Sequence, residues 1–265
     1  LLFDDGVVID ESELTSYGLF VYGTEGDDVL TGLDGFDDWL DGDLGDDIVD
    51  GGSGDDNAFG GEGNDIVRGG PGEDDVETWG EGNNFLDAGP GDDTVYTEGH
   101  ALVVGGTGDD LIEFYGDGGI ASFNPGAGND IVYVGGSLTL SLGGGIVGDE
   151  LWLREVAAEY ALGVNDLLLS IGESGSIRLT REWEAEPEVW PEITLQLFGS
   201  VHRFNFNAII DALAAQSSSF SGFVLPLGDM LEAHAIDISE TEGIGGAIAW
   251  QYATTGSTAA LTDAA

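Results

Sequence analysis

The 265-residue chain contains no cysteine and no lysine. Without cysteine, no disulfide framework supports the fold and no thiol reports the redox compartment. Its five basic residues are all arginine and stand against 52 Asp and Glu, for a formal net charge of -47 at pH 7. A chain so acidic repels nucleic acid and anionic membranes, which leaves divalent cations as the obvious partners. No run approaches 18 apolar residues, so no transmembrane helix is expected. There is no HExxH, no GxSxG and no P-loop, and His100, His202 and His234 lie far apart without zinc-like spacing. Each histidine reads as a surface or packed residue, and no enzyme activity is expected. The opening LLFDDGVVIDESEL lacks Met, a basic region and a cleavage site. It reads as the middle of something, so the chain is expected to be a fragment or a processed product.

Yet 42% of the residues are hydrophobic and 9% aromatic, so the acids are interleaved with core formers rather than gathered into a disordered tail. The interleaving is periodic. From residue 23 the chain divides into units of about nine: GTEGDDVLT, GLDGFDDWLD, GDLGDDIVD, GGSGDDNAF, GGEGNDIVR, GGPGEDDVET, WGEGNNFLD and AGPGDDTVY. A weak TEGHALVV, then GGTGDDLIE, a degenerate FYGDGGIAS and PGAGNDIVY continue the series. The consensus is Gly-Gly-x-Gly-x-Asp-x-U-x, with U a large apolar residue. Nine units keep the acidic sixth position, and a merely solvated acidic face has no need of a nine-residue phase.

The letters have physical reasons. Glycines permit positive φ and let carbonyls point inward. The x-U-x triplet is a minimal strand whose U faces the core. These positions are Leu30, Leu40, Val49, Ala58, Val67, Val76, Leu86, Val95, Ile112 and Val132. Two units make one coil, so the turns of alternate units stack about 4.8 Å apart. The sixth-position residues then form two rows. One holds Asp28, Asp47, Asp65 and, as a weaker member, Asn84. The other holds Asp38, Asp56, Asp74, Asp93, Asp110 and Asp130. Charges about 5 Å apart repel by roughly 0.8 kcal/mol in water and roughly 3 kcal/mol at an effective dielectric near 20. A hard cation between successive turns reverses that sign, and calcium takes six to eight oxygens from carboxylates and carbonyls. The acids supply charge. Carbonyls come from Gly26, Gly45, Gly52, Gly54, Gly61, Gly63, Gly70, Gly72, Gly89, Gly91, Gly106, Gly108, Gly126 and Gly128. Counting gaps between ligand-bearing turns gives roughly seven or eight calcium ions.

This repeat resembles the calcium-binding nonapeptide repeat of RTX proteins. After it, residues 146–207 show alternating segments DELWLRE, DLLLSIG, SIRLTREW and ITLQLF, which read as antiparallel strands. Their order resembles the haemolysin-type calcium-binding-protein-related domain that often follows such repeats. Asn165 to Leu169, the strand Ser176 to Thr180 and Trp183 are kept, while LFGSV (197–201) departs from that family's FADGT. The resemblance implies a bacterial protein secreted by a type I system that folds outside in millimolar calcium.

The fold class expected is all-β: a parallel β-roll, a small antiparallel β cap and a short helical or irregular C-terminal segment. Residues 1–17 are expected to cap the roll or to end a preceding module. Their apolar pattern repeats 195 residues later, with Phe3 against Phe198 and Leu14 against Ile209. Residues 18–145 form the roll, 146–207 the cap and 208–265 an Ala/Gly/Ser-rich segment opening with a short helix at AIIDALAAQ. The function expected is an extracellular, cell-surface calcium-binding structural module, acting as a spacer or as a sheath, layer, filament or adhesin subunit. It would partner itself or tandem neighbours, and neither nucleic acid nor membrane. Two other readings stay open: the non-catalytic part of a secreted protease, lipase or alginate epimerase, and a carbohydrate-binding module. The tryptophans are expected in core or edge-shielding roles.

Overall fold

A computed structural model describes residues 18–116, 118–124, 126–143, 151–157, 165–172, 175–181, 190–197, 202–216 and 224–237. Residues 1–17 and 238–265, Trp183 and most of LFGSV lie outside these. Fourteen strands alternate between two sheets. The first sheet takes β1 (Phe20–Thr24), β3 (Trp39–Asp43), β5 (Asn57–Glu62), β7 (Asp75–Trp79), β9 (Thr94–Thr97), β11 (Leu111–Phe114) and β13 (Gly128–Val134). The second takes β2 (Val29–Thr31), β4 (Ile48–Asp50), β6 (Ile66–Arg68), β8 (Asn83–Pro90), β10 (His100–Thr107), β12 (Gly119–Phe123) and β14 (Leu138–Leu142). All pairings within these sets are parallel. Each pair of units is therefore one coil of a β-roll.

Registry puts every U residue in line with the next. Leu40, Ala58 and Val76 stack on one sheet, and Leu30, Val49, Val67 and Leu86 on the other. All ten expected U residues are buried and join one continuous core. Each side chain meets its own kind along the axis, so small residues such as Ala58 are accommodated without breaking the column. The degenerate units still make strands, because β10 and β12 keep inward Val103 and Ala121 fully buried. Several strands outgrow the expected triplet; β8 and β10 each run eight residues.

Beyond β14 the expected antiparallel cap takes a mixed form. Strands β15 (Leu151–Ala157), β16 (Asn165–Ile171) and β17 (Gly175–Arg181) pair antiparallel among themselves, but β17 also lies parallel to β13. Likewise β18 (Ile193–Leu197) is parallel to β14 and antiparallel to β19 (His202–Asn205). Both roll sheets thus continue without interruption, β17 and β18 supplying a further rung each. The reason is registry: Ile177 and Leu179 continue the Asp130 and Val132 lines, and Leu195 continues that of Leu140.

The short strands β20 (Leu225–Pro226) and β21 (Ala235–Asp237) close the two sheets. Helix α1 (Phe206–Gln216) falls at the expected place and buries Phe206, Ile209 and Leu213, an i, i+3, i+7 stripe. A second helix, α2 (Gly228–Ala233), is a turn and a half. Among the described residues no helix is long and apolar enough to cross a membrane. Trp39 and Trp79 lie on the outer face of the first sheet, flanking Phe59 with ring centroids 4.9 and 5.5 Å apart.

Candidate metal centre

The turns place the sixth-position residues in the two expected rows and add a bonding rule. Each row member reaches back one coil, and its Oδ1 accepts the backbone N–H of the row member before it. On the long edge the Asp38 N–H donates to Asp56 at 2.7 Å, Asp56 to Asp74 and Asp74 to Asp93 at 2.8 Å, and Asp93 to Asp110 and Asp110 to Asp130 at 3.1 Å. On the short edge the Asp28 N–H donates to Asp47 at 2.7 Å, Asp47 to Asp65 at 3.0 Å and Asp65 to Asn84 at 2.9 Å.

The second carboxylate oxygen decides the chemistry. In Asp47, Asp56, Asp65, Asp74, Asp93 and Asp110 the Oδ2 atom is buried and has no hydrogen-bond partner. A buried acceptor left without a partner costs on the order of 1–3 kcal/mol, more when charged. Six of them at one-coil spacing are a strong demand for something positive. The first coil is different. Asp28 Oδ2 accepts from Thr24 N and Oγ1 at 2.6 and 2.8 Å, and Asp38 Oδ2 accepts from Leu33 N.

The electrostatics agree. Burial first, then neighbouring carboxylates, pushes Asp56, Asp93 and Asp130 up to about 6, Asp74 to about 7 and Asp110 to about 8. Asp47 and Asp65 are also raised, burial again leading. The backbone N–H donated to each carboxylate opposes the shift without cancelling it.

The glycines complete the surroundings. At Gly51, an added Cβ would stand 2.6 Å from the Gly69 carbonyl oxygen and 2.7 Å from Asp56 Oδ2, filling the space where the two converge. Gly42 and Gly69 crowd the Oδ2 of Asp47 and Asp74 in the same way, beside the Gly60 and Ala88 carbonyls, and Gly105 crowds Asp110 Oδ2. The carbonyls of Gly45, Gly52, Gly54, Gly63, Gly70, Gly72, Gly89, Gly91 and Gly108 each point at the glycine of the next coil on their edge. Gly52 and Gly54 hold φ of 104° and 136°, backbone that side-chain-bearing residues rarely adopt. Gly26 and Gly126 have open space instead.

This donor set is hard oxygen only, one unpartnered carboxylate oxygen with backbone carbonyls, which suits calcium and does not suit zinc or copper. Among the described residues no three His, Cys, Asp or Glu side chains converge, so carbonyls would have to supply most of each coordination shell. Asn84 does not match the other row members. Its Nδ2 stands where they carry Oδ2 and donates to Thr78 Oγ1 at 3.1 Å, which is in turn 3.1 Å from Thr97 Oγ1. The next residue in that line is Ala101.

A further row was not anticipated. Fifth-position side chains reach forward, opposite in sense to the sixth. The Asp46 N–H donates to Asp27 Oδ1 at 3.0 Å, Asp55 to Asp37 at 3.0 Å, Asn64 to Asp46 at 2.9 Å and Glu73 to Asp55 at 2.9 Å. Asp109 to Asp92 and Asn129 to Asp109 follow at 2.8 Å. These residues are all exposed, and the Asn64 amide N–H groups hold Asp46 below its ordinary value. The persistent Asp, Asn or Glu at position five was the available signal.

The match to a family model agrees with this geometry. A family model described as the RTX calcium-binding nonapeptide repeat (4 copies) matches residues 22–58, 50–78 and 80–99. No curated protein matches the chain. Among solved structures, the extracellular lipase LipA from Serratia marcescens is similar at 19% identity and a TM-score of 0.30. The match covers 66% of this chain and 39% of that one, so the chain spans about two fifths of the lipase's length. With the repeat, its register and its turn geometry in agreement, the nonapeptides within residues 22–99 are RTX calcium-binding repeats, and the strands they form lie in a parallel β-roll.

Proposed function

We propose that the chain is a calcium-folded extracellular structural module, a rigid spacer or assembly unit of a secreted bacterial surface protein. The observation that carries this reading is the set of six buried, unpartnered Oδ2 atoms along the two edges. Each marks a gap between successive turns where a calcium ion would be held by one carboxylate and the glycine carbonyls of adjacent coils. We assign ions to the gaps closed by Asp56, Asp74, Asp93 and Asp110 on the long edge and by Asp47 and Asp65 on the short edge. Asp130, with its raised carboxyl, would close a seventh. The Asn84 gap is left out, because its amide nitrogen is a donor.

Calcium supplies charge neutralisation and cross-coil coordination when bound; the chain supplies phase, registry and the dry inner column. An ion at about ten times its dissociation constant adds about 1.4 kcal/mol. Six give about 8 kcal/mol, comparable to the stability of a whole domain. Dissociation constants of extracellular calcium modules, about 0.1–1 mM, match such a device. The raised carboxyls support the same reading: without a cation, ionisation at neutral pH works against the roll.

Residues 146–207 serve in this reading as the end piece of the roll, since β17 and β18 occupy both sheets where an exposed edge would otherwise template aggregation. Size-exclusion light scattering with far-UV circular dichroism, in 5 mM calcium and in chelator, tests the proposal. A compact monomer in calcium that expands and loses strand signal in chelator supports the spacer. Defined large oligomers in calcium support the assembly unit. An equally folded, compact chain in chelator overturns it.

A further inference from the structure

On the outer face of the second sheet, Ile66, Phe85, Leu102 and Ile120 fall in one register line across β6, β8, β10 and β12. They point outward because their chain neighbours Val67, Leu86, Val103 and Ala121 fill the core. Over them opens a groove of about 590 Å³, within the roughly 300–1,000 Å³ usual for ligand sites. Arg68 lines it on one side, and Asn64, Asn83 and His100 on the other, with the row members Asp65 and Asn84 beside them.

The composition of that rim is unlike the rest of the edge. The fifth-position row starts as Asp27 and Asp46, then turns to Asn64, Asn83 and, in register with Asn83, His100. The sixth-position row changes at the same place, from Asp65 to Asn84 to Ala101. The amide hydrogens are handed down the ladder, Asn83 Nδ2 to Asn64 Oδ1 at 3.1 Å and Asn64 Nδ2 to Asp46 Oδ1 at 2.9 Å. This orients Asn83 Oδ1 as the open end of the ladder. On a chain of net charge -47, the groove is a place where carboxylates give way to amides, an imidazole and a guanidinium beside an apolar floor with one aromatic ring.

We propose that this groove binds a neutral glycan. Phe85 and the aliphatic row would take the apolar face of a pyranose ring. Asn83, His100 and Arg68 would meet its hydroxyls, as polar groups at the rim of a mostly apolar pocket commonly do. The occupant is an uncharged sugar chain rather than a cation, since Asp65 is the one carboxylate among the lining residues and amides, an imidazole and Ala101 take the neighbouring row positions. It is not a polyanion, which the field of the whole chain repels. This goes beyond the calcium reading: the groove borders Asp65, which closes one of the six gaps, but the groups that would meet the sugar belong to none of them.

The test is NMR or calorimetric titration of the full chain in saturating calcium with cellopentaose, maltopentaose, xylopentaose and chitopentaose, with oligogalacturonate as the anionic probe. The expected result is saturable binding of at least one neutral oligosaccharide. It should weaken at least tenfold in Phe85→Ala and in His100→Ala, while the calcium-dependent folding transition of each variant is retained. Two results overturn the proposal. One is no binding by any neutral probe to chain shown to be folded in calcium. The other is self-association in calcium that Phe85→Ala abolishes, which would make the groove a contact between copies. Failure of the chain to fold in calcium would sink the calcium reading instead, so the two outcomes are separable.

Discussion

Asn84 donates from Nδ2 to the buried Thr78 hydroxyl, 3.1 Å away. That bond marks where the short edge's run of unpartnered carboxylate oxygens ends. Every member from Asp47 through Asp65 leaves an oxygen unpartnered at the equivalent point, whereas Asn84 is satisfied from within.

Replacing Asn84 by Asp restores an acceptor at that point. The expected outcome is one additional calcium ion per chain by native mass spectrometry. In chelator, the same variant should lose about 1–3 kcal/mol, through the exchange of a donor for a buried charge. An unchanged ion count would show that the Asn84 gap is closed for some other reason.

Asp74 and Asp93 sit mid-row, each accepting from the coil before it. Asp74→Ala or Asp93→Ala removes a ligand and strands a buried N–H, so each should lower the calcium-saturated stability by about 2 kcal/mol or more. Asn84→Ala, which removes no proposed ligand, should shift the calcium midpoint less. Equal effects in a calcium titration would contradict the two-row arrangement.

The glycines divide into two kinds. Gly69→Ala would push a methyl group against Asp74 Oδ2 and the Ala88 carbonyl, while Gly26→Ala would enter open space. Overpacking typically costs about 1–3 kcal/mol, so the first should melt lower in calcium and bind one ion fewer. The second should be near neutral. Thermal melts with metal analysis distinguish them.

The row carboxyls titrate upward of their ordinary value: about 6 for Asp56 and Asp93, about 7 for Asp74 and about 8 for Asp110. A group whose folded pKa is raised binds its proton more tightly when folded. Its contribution is complete below the unfolded value near 3.9 and is lost as pH climbs through 6 to 8. The metal-free roll should therefore be more ordered at pH 4.5 than at pH 8. Calcium should bind more tightly at pH 8 than at pH 5.5, because protons compete for the same oxygens. Circular dichroism in chelator across this range checks the first. A metal-free chain that gains structure on raising the pH would contradict it.

Much of this was legible in the sequence because the repeat fixes phase. Position eight yields the core column from Leu30 to Val132, and position six yields both rows, since a period of two units decides which turns stack. What Asn84 does was not legible: its donor meets Thr78, a residue six positions earlier on the opposite sheet. A signal existed, in that Thr78 and Thr97 put hydroxyls at the inward position that Phe114 and Val134 fill farther along. The forward-reaching fifth row was hidden because Asp at a turn is expected for local reasons alone. Alternation shows that SIRLTR (176–181) is a strand but not which neighbour it takes, so the parallel pairing of β17 on β13 had to come from the structure.

The strands lie across the long axis of the roll, and their backbone hydrogen bonds run along it. A pull along that axis loads the bonds end-on, one coil after another, rather than shearing many at once. Each coil released pays out about 18 residues, roughly 60 Å of extended chain. With calcium between successive turns as proposed, the same rungs would gain an ionic tie at each gap assigned an ion. Ambient calcium would then set how much tension the roll bears before it lengthens in steps.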